Sequence, residues 1–419
     1  MLLIPSLKKY TKKSPIQVIS EAEDYYIPLS SYRGNMNSIV KEGEKVKKYQ
    51  LLAQCDGVFA TKAHAPISGI VKGIFHLNDS QFLHIQNDFQ DREISIDCLS
   101  IDNINQDQFA EILLEYGIEG AGGSRFPTTL KYRENSNKIR TLIFNGVECE
   151  PYLSADYVLM QYQTKEIIEV AAFIKKIIGA EQLVFAIEKQ NKELKKQLES
   201  VAKEKGINIK VQLLPNSYPQ GGELQLIKAI TGMELKKGSI PAQYGILVNN
   251  IGTLWAMYKA IFEGKPNIER IITISGNRCF NPGNFRVKIG TPIAHILRET
   301  NNVWNSEEQI IVLGGAMMGK VISSKFIPIN KGSGGLLVMQ KNNLETNNCI
   351  KCGLCIDVCP QKLMPLEFAR FNLIDDIESL ANYHLQDCIE CGACAYICPS
   401  QIPLIENILD GKKKLINSH

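Results

Sequence analysis

Between residues 164 and 214 the apolar positions change period twice. Ile167, Ile168, Phe173, Ile174, Ile177 and Ile178 fall on one broad face at helical spacing, and Leu183-Val-Phe-Ala-Ile187 then runs unbroken at the length of a buried strand. A charged helix from Glu188 to Lys205 and a strand from Ile207 to Leu214 follow. This alternation extends from about residue 105 to 265 and predicts helices layered on a sheet. The flanks read differently. From about 25 to 85 short strands are punctuated by turns, as in Val40-Lys-Glu-Gly43-Glu-Lys-Val46 and Ala65-Pro66-Ile-Ser-Gly69-Ile-Val71, which predicts a compact all-β module. From Arg270 the order is strand, Asn-Pro-Gly turn, strand, and a short helix capped by Thr291 with Pro292 at its first position. Lys331-Gly-Ser-Gly-Gly335 and a strand from Leu336 to Met339 complete a small β-grasp-type segment. A linker, 340–348, leads into a helical C-terminal region. The expected domains are therefore 1–100, 101–266, 267–340 and 341–419.

Composition narrows the function. The 419 residues are 44% hydrophobic, enough for several cores, so the chain is not disordered. A net charge of +3 with Lys and Glu mixed throughout gives no nucleic-acid groove. No apolar run approaches the ~20 residues of a transmembrane helix, so membrane association is expected only through a partner or the surface. The chain has no evident signal peptide, and its thiols suit a reducing compartment.

The last quarter repeats one cysteine pattern: Cys349-Ile-Lys-Cys352-Gly-Leu-Cys355-Ile-Asp-Val-Cys359-Pro360, then Cys388-Ile-Glu-Cys391-Gly-Ala-Cys394-Ala-Tyr-Ile-Cys398-Pro399. Three thiolates at two-residue intervals wrap one face of a [4Fe-4S] cube, and the fourth, before Pro, reaches the neighbouring cluster. The ligands are therefore expected crosswise: Cys349, Cys352, Cys355 and Cys398 for cluster one, and Cys388, Cys391, Cys394 and Cys359 for cluster two. Gly353 and Gly392 allow the tight turn beside inorganic sulfide. A pair of zinc sites is the competing reading, with Cys-x-x-Cys spacing but four tetrahedral ligands, commonly including His. Two adjacent cubanes imply a relay of single electrons. Cys55, Cys98, Cys149 and Cys279 are scattered and read as small buried residues.

A second candidate site lies upstream. In Gly117-Ile-Glu-Gly120-Ala-Gly122-Gly123-Ser-Arg-Phe126-Pro127-Thr128-Thr-Leu-Lys131, glycines permit close backbone approach to a ligand, amides can cradle phosphate, and Lys131 adds a cation. Alone this is equally a structural turn, and it lacks the Rossmann spacing. Asn145-Gly-Val-Glu148-Cys149-Glu150-Pro151-Tyr152 directly follows the apolar strand Thr141 to Phe144, where Glu148 and Glu150 are either solvated charges or site residues. Tyr218-Pro-Gln-Gly221-Gly222-Glu223 and Asn249-Asn250-Ile-Gly252-Thr253 are two more polar loops after apolar segments. Four such loops in one α/β region point to a shared cofactor pocket. No residue is assigned as a proton-transfer catalyst.

These four loops resemble the FMN-binding loops of the flavin subunit of respiratory complex I. The whole order, with Asn281-Pro-Gly-Asn-Phe-Arg286, Gly314-Gly-Ala-Met-Met-Gly319 and Tyr383-His-Leu-Gln-Asp-Cys388, resembles the RnfC family of Rnf electron-transport complexes. The architecture implied is multidomain: a barrel-sandwich-like β-module, a complex I flavin-subunit-like α/β domain, an SLBB-type β-grasp segment and a bacterial-ferredoxin-type domain with two [4Fe-4S] clusters. One component of the Na⁺-pumping NADH:quinone reductase shares this order but lacks the cysteine runs. The β-module is similar to lipoyl and biotinyl carriers, but Lys62, its only candidate for the carrier lysine, lies four residues before Pro66 without the carrier context.

The resemblance implies FMN held noncovalently near Gly120, Gly122, Lys131, Asn145, Tyr218, Gly221, Glu223, Asn249, Asn250 and Thr253, and NADH at the open flavin face with Glu148, Glu150 and Glu223 arranging its nicotinamide or ribose. It further implies exchange with ferredoxin-level carriers and a place on the cytoplasmic face of a membrane through other Rnf subunits. The alternative it leaves is a soluble reductase serving a dedicated enzyme, of the cobalamin-reductase or proline-reductase-associated type. Two features depart from the family. Ser124-Arg125 replace an Ala-Gly pair, so that Arg125 either blocks the flavin or stabilises its reduced anion. The start, Met1-Leu-Leu-Ile-Pro-Ser-Leu, lacks the Gly-Gly-x-His-Pro of membrane-complex members.

Overall fold

The computed structural model describes residues 1–95, 104–133, 137–342 and 345–418. Cys98 lies outside them, as do two residues of the expected linker.

The strand Thr141–Gly146 lies between parallel neighbours Gln182–Glu188 and Ile246–Asn250, and Lys210–Leu214 continues the sheet beyond Gln182–Glu188. Alternate side chains go to opposite faces. Leu142, Phe144, Leu183 and Phe185 pack under helices Ala155–Tyr162, Thr164–Ile178 and Ile251–Glu263, while Ile143, Val184, Ile246 and Val248 pack with Leu226 and Ile227 of helix Glu223–Thr231. Cover on both faces explains why Leu183 to Ile187 is apolar without alternation.

The β-module folds as two small sheets. One orders Asp24–Pro28, Ser80–Asn87, Gly69–Leu77 and Lys45–Val46; the other orders Asn37–Ser38, Leu51–Cys55 and Thr61–His64. Tyr25, Ile27, Leu52, Ile67, Leu83 and Ile85 fill the space between them. Lys62 is on the strand Thr61–His64 and pairs with Glu115 at 2.5 Å.

The β-grasp segment builds a mixed sheet from Gly283–Lys288, Glu269–Ser275, Gly335–Gln340, Gln309–Leu313 and Lys320–Val321, with helix Ile293–Glu299 packed against it. Two details differ from expectation. Ile16–Val18, far upstream, adds a parallel edge strand beside Asn284 to Arg286. Thr291 does not cap the helix: its hydroxyl donates to the Lys288 carbonyl at 2.8 Å, and Pro292 itself is the extended residue before the first turn. The first amides of the helix are met instead by carbonyls of a later loop, Ile293 donating to Ile327 at 3.0 Å and Ala294 to Lys325 at 2.8 Å, so no hydroxyl cap is needed.

In the C-terminal region, helices Pro365–Leu373, Ile377–Asn382 and Leu404–Asn417 pack through Phe368, Leu380, Leu404 and Ile408. The cysteine repeat is a structural repeat. Lys351 and Glu390 take φ of 54° and 58°, Gly353 and Gly392 take 78° and 75°, and Lys362 and Gln401 take 56° and 52°.

Candidate functional site

Three of the four loops leave the sheet at the carboxyl ends of its strands. Asn145 and Asn250 are register partners on adjacent strands, and the chain order of the sheet reverses between them. Such a reversal opens a crevice where ligands bind in α/β sheets. The loops are laced together there. Asn145 Nδ2 donates to the Gly221 carbonyl at 2.9 Å, and the Ala121 amide donates to Thr253 Oγ1 at 2.8 Å. Asn250 accepts from the Gly252 amide to cap helix Ile251–Glu263, and its Nδ2 donates to Asp156. Lys131 Nζ donates to the Val248 carbonyl at 2.7 Å and stands 3.6 Å from Glu223 Oε1. Asn249 Nδ2 donates to the hydroxyl of buried Tyr132.

This arrangement fits a flavin phosphate and ring. Gly123 has φ of 106° and no heavy atom within 4 Å of where a Cβ would lie, and Gly122 faces Asn250 at 3.6 Å. Backbone is thus available for close approach beside the N-terminal ends of helices Glu223–Thr231 and Ile251–Glu263, which favour anions. Gly120, whose amide donates to the Phe126 carbonyl, shapes the same turn.

Three of the expected contacts point elsewhere. The Glu148 carboxylate accepts from the Asp156 and Tyr157 amides at 3.2 and 3.4 Å and closes the N-terminus of helix Ala155–Tyr162. Burial, with the like charge of Asp156 adding to it, pushes the Glu148 carboxyl up to about 8. Glu150 accepts from the Met317 and Met318 amides at 2.9 and 3.0 Å, and burial raises it also. Of the three glutamates expected at the nicotinamide, Glu223 is the one whose residue remains exposed. Tyr218, 1% exposed, turns its hydroxyl away to donate to the Cys391 carbonyl at 2.6 Å.

Arg125 is also committed. Its Nε donates to Glu119 at 2.8 Å, and Nη1 and Nη2 donate to Ser30 at 3.1 and 2.7 Å. Glu119 is buried and also meets Lys331 at 3.1 Å and Thr61 at 2.9 Å. Burial alone would raise its carboxyl, but Lys331 and Arg125 hold it below the usual range. Arg125 thus belongs to an ionic node joining the β-module, the α/β domain and the Lys331 loop. Its guanidinium is held on Glu119 and Ser30 in this arrangement.

The eight motif cysteines fall into two groups. Cys359, Cys388, Cys391 and Cys394 line one cavity, and Cys349, Cys352, Cys355 and Cys398 line the other. Each group takes three sulfurs from one run and the fourth from the other. Among the described residues no three His, Cys, Asp or Glu side chains converge on a single-ion site. Four cysteines around each cavity, three from one run and one from the other, suit the crossed ligand pattern of a pair of cubanes. The Lys351 amide donates to Cys349 Sγ at 3.3 Å, and at the equivalent place the Glu390 amide donates to Cys388 Sγ at 3.4 Å. Such bonds stabilise charge on sulfur. Cys55, Cys149 and Cys279 are partly rather than fully buried.

Sequence reasoning missed how the two sites are joined. Leu2, Tyr218, Cys391 and Ala393 share a small core with Cys149 and Met317 at its edge. Leu2 and Tyr218 exchange backbone hydrogen bonds, Lys8 donates to the Glu148 carbonyl, and the same ammonium pairs with Glu188 at 3.4 Å. Lys237 and Lys412 both donate to the Cys388 carbonyl at 2.6 Å. Spacing held no signal for these pairings, because all but Lys412 with Cys388 join residues more than a hundred positions apart, and in that pair the partner is a backbone carbonyl. Among the described residues no helix is long and apolar enough to cross a membrane.

Comparison with known proteins agrees with this layout. Residues 2–89 match the RnfC barrel sandwich hybrid domain, 113–259 the Nuo51 FMN-binding domain, and 348–402 the 4Fe-4S dicluster domain. The chain therefore carries an FMN-type domain and a dicluster domain in the expected order. It is 35% identical to the C subunit of the ion-translocating oxidoreductase complex of Haemophilus influenzae strain PittEE over 98% of this chain and 65% of that protein. The corresponding protein of Actinobacillus succinogenes is 36% identical over 98% of this chain and 60% of its own length, so the chain spans less than two thirds of these relatives. Among solved structures, an NAD⁺-reducing [NiFe]-hydrogenase in the H2-reduced state superposes with a TM-score of 0.54 at 18% identity, covering 74% of this chain and 63% of that one, a likeness of fold. The barrel-sandwich, flavin-type and dicluster domains in one chain, with kinship over nearly its whole length, make this chain a member of the RnfC family.

Proposed function

We propose that this chain passes electrons between NADH, FMN and two [4Fe-4S] clusters as the peripheral subunit of an Rnf-type ferredoxin:NAD oxidoreductase complex, on the cytoplasmic face of the membrane. The observation that carries this reading is Tyr218. The loop that brings Gly221 and Glu223 to the crevice also places the Tyr218 hydroxyl on the carbonyl of Cys391, so flavin-side and cluster-side loops are one packed unit. The names of the relatives support a role within a complex over a soluble reductase.

In this reading FMN, when bound, supplies the exchange between a hydride and single electrons, and the clusters relay them. The chain contributes position and field. Gly120, Gly122, Gly221 and Thr253 shape the backbone around the flavin. Asn145, Asn249 and Asn250 fix the loops that frame it through Gly221, Tyr132 and Asp156, and Lys131 lies where a phosphate charge needs a cation. Glu223, exposed at a helix N-terminus, is the carboxylate left to orient a nicotinamide ribose. Glu148 and Glu150 act at one remove by fixing the Asn145 to Tyr152 loop against neighbouring amides. The thiolates of Cys349, Cys352, Cys355 and Cys398 hold cluster one, and those of Cys388, Cys391, Cys394 and Cys359 hold cluster two.

The test is anaerobic reconstitution with iron, sulfide and FMN, followed by metal and flavin counts and EPR before and after NADH. The expected outcome is about eight irons with one FMN and cluster signals that appear on adding NADH. Eight irons without flavin, or clusters that respond to dithionite and never to NADH, would overturn the reading.

A further inference from the structure

Cluster two has an unusual electrostatic neighbour. Lys412, 8% exposed on helix Leu404–Asn417, donates to the Cys388 carbonyl at 2.6 Å and pairs with Glu390. Lys237 arrives from a different domain, on the loop after helix Glu223–Thr231, and donates to the same carbonyl at 2.6 Å and to the Gln386 carbonyl at 2.6 Å. Two ammonium groups on one oxygen repel each other, and the carboxylate nearby, Glu390, is 41% exposed and forms its ion pair with Lys412. Neither ammonium lines the adjacent cavity, whose walls include Cys359, Cys388, Cys391 and Cys394, but both bear on it through the carbonyl of its ligand Cys388.

At the other cavity, among the described residues, no ammonium donates to a carbonyl of Cys349, Cys352, Cys355 or Cys398, and Lys351 in its lining is exposed, where water and salt screen its charge. A cluster held by four thiolates gains negative charge on reduction, so nearby positive charge raises its potential. We propose that Lys412 and Lys237 are positioning residues that set the potential of cluster two, raising it so that the cluster beside the flavin loops accepts an electron readily. This rests on the cluster assignment above. It adds a specific cause for an asymmetry between two clusters whose ligand runs are nearly identical.

The test is redox potentiometry followed by EPR on the reconstituted full chain and on the Lys237→Gln/Lys412→Gln double variant. A Cys352→Ser variant identifies the cluster one signal. At the potential that half-reduces cluster two in the unaltered protein, the double variant is expected to lose about tenfold in the ratio of reduced to oxidised cluster two, a downward shift of about 59 mV. Cluster one should stay in place, and Lys412→Arg, which keeps charge and donors, should remain within about twofold of the unaltered protein. Eight irons with cluster two unmoved would overturn the proposal, as would both clusters shifting together. Should the double variant lose iron, Lys237→Gln alone decides, since its side chain comes from outside the cluster domain: a downward shift supports the proposal and an unchanged potential overturns it. A failure of the unaltered protein to take up about eight irons would instead sink the cluster assignment itself.

Discussion

The two cysteine runs are near copies in sequence and unlike in surroundings. Cys349 and Cys352 are exposed, whereas Cys391 and Cys394 are each 7% exposed and Cys391 packs with Tyr218 and Leu2. The backbone turns match, so the motif dictates the local loop, and tertiary context decides what the loop faces. One end of the relay is built into the flavin-side core. The other is presented to solvent, where a partner protein can approach.

The sharpest way to break this contrast is to remove one ligand from each run. Cys352→Ala and Cys391→Ala should each cut bound iron from about eight to about four. The Cys391 variant should also lower the melting temperature of the flavin-side domain, by an amount equivalent to about 1–3 kcal/mol for a lost buried side chain, while the Cys352 variant should not. Equal thermal losses would show that the two sites are not differently embedded.

Tyr218→Phe comes next. It leaves the Cys391 carbonyl without its donor in a buried place, which should cost about 1–3 kcal/mol in chemical denaturation and slow NADH-dependent cluster reduction, with no loss of iron. A variant as stable as the parent would mean that this contact does not hold the domains together.

A pH series sharpens the same contrast. The Glu148 carboxyl is raised to about 8, so the folded protein holds that proton more tightly than the unfolded chain. Stability from this group is therefore full below about pH 4.5 and is lost as pH rises toward 8. Glu148→Gln should flatten that decline in thermal melts from pH 5 to 8.5, and an unchanged slope would assign the decline elsewhere. The smallest effect is expected at Lys62→Ala. Its partner Glu115 is 57% exposed at the side chain, so the pair should contribute under about 1 kcal/mol, and intact mass should show no cofactor attached to Lys62 in the parent.

Reading these regions from sequence succeeds where spacing carries the information. Two-residue cysteine intervals, glycines before short helices and an unbroken apolar strand are local patterns. The crevice loops are legible too, because each follows an apolar segment. Side-chain direction is not. Glu148 and Glu150 sit in a loop that reads as a ligand site, yet backbone amides from residues 156, 157, 317 and 318 occupy them. Arg125 reads as an intrusion into a flavin loop because its partners, Glu119 and Ser30, lie in a turn and in another domain. Thr291 fits the preferences of a helix cap, and a proline one residue later takes the position. For the glutamates and Arg125 the decisive partner lies in another loop or another domain, which no periodicity encodes.

The first eighteen residues have a consequence for how the protein is made. Leu2 binds Tyr218, Ser6 binds Tyr152, Thr11 accepts from Asn284 across 273 positions, and Ile16 to Val18 complete a sheet whose other strands begin at Glu269. At ~5–20 residues per second, a ribosome takes about 14–55 s to synthesise that intervening stretch. Tyr152 and Tyr218 are made within that interval, but Asn284 and the sheet that takes up Ile16 to Val18 come only at its end, so the α/β domain can form first. Closure of the N-terminal strap is then a late step, and a fusion placed before it would be expected to delay maturation more than one placed after the last helix.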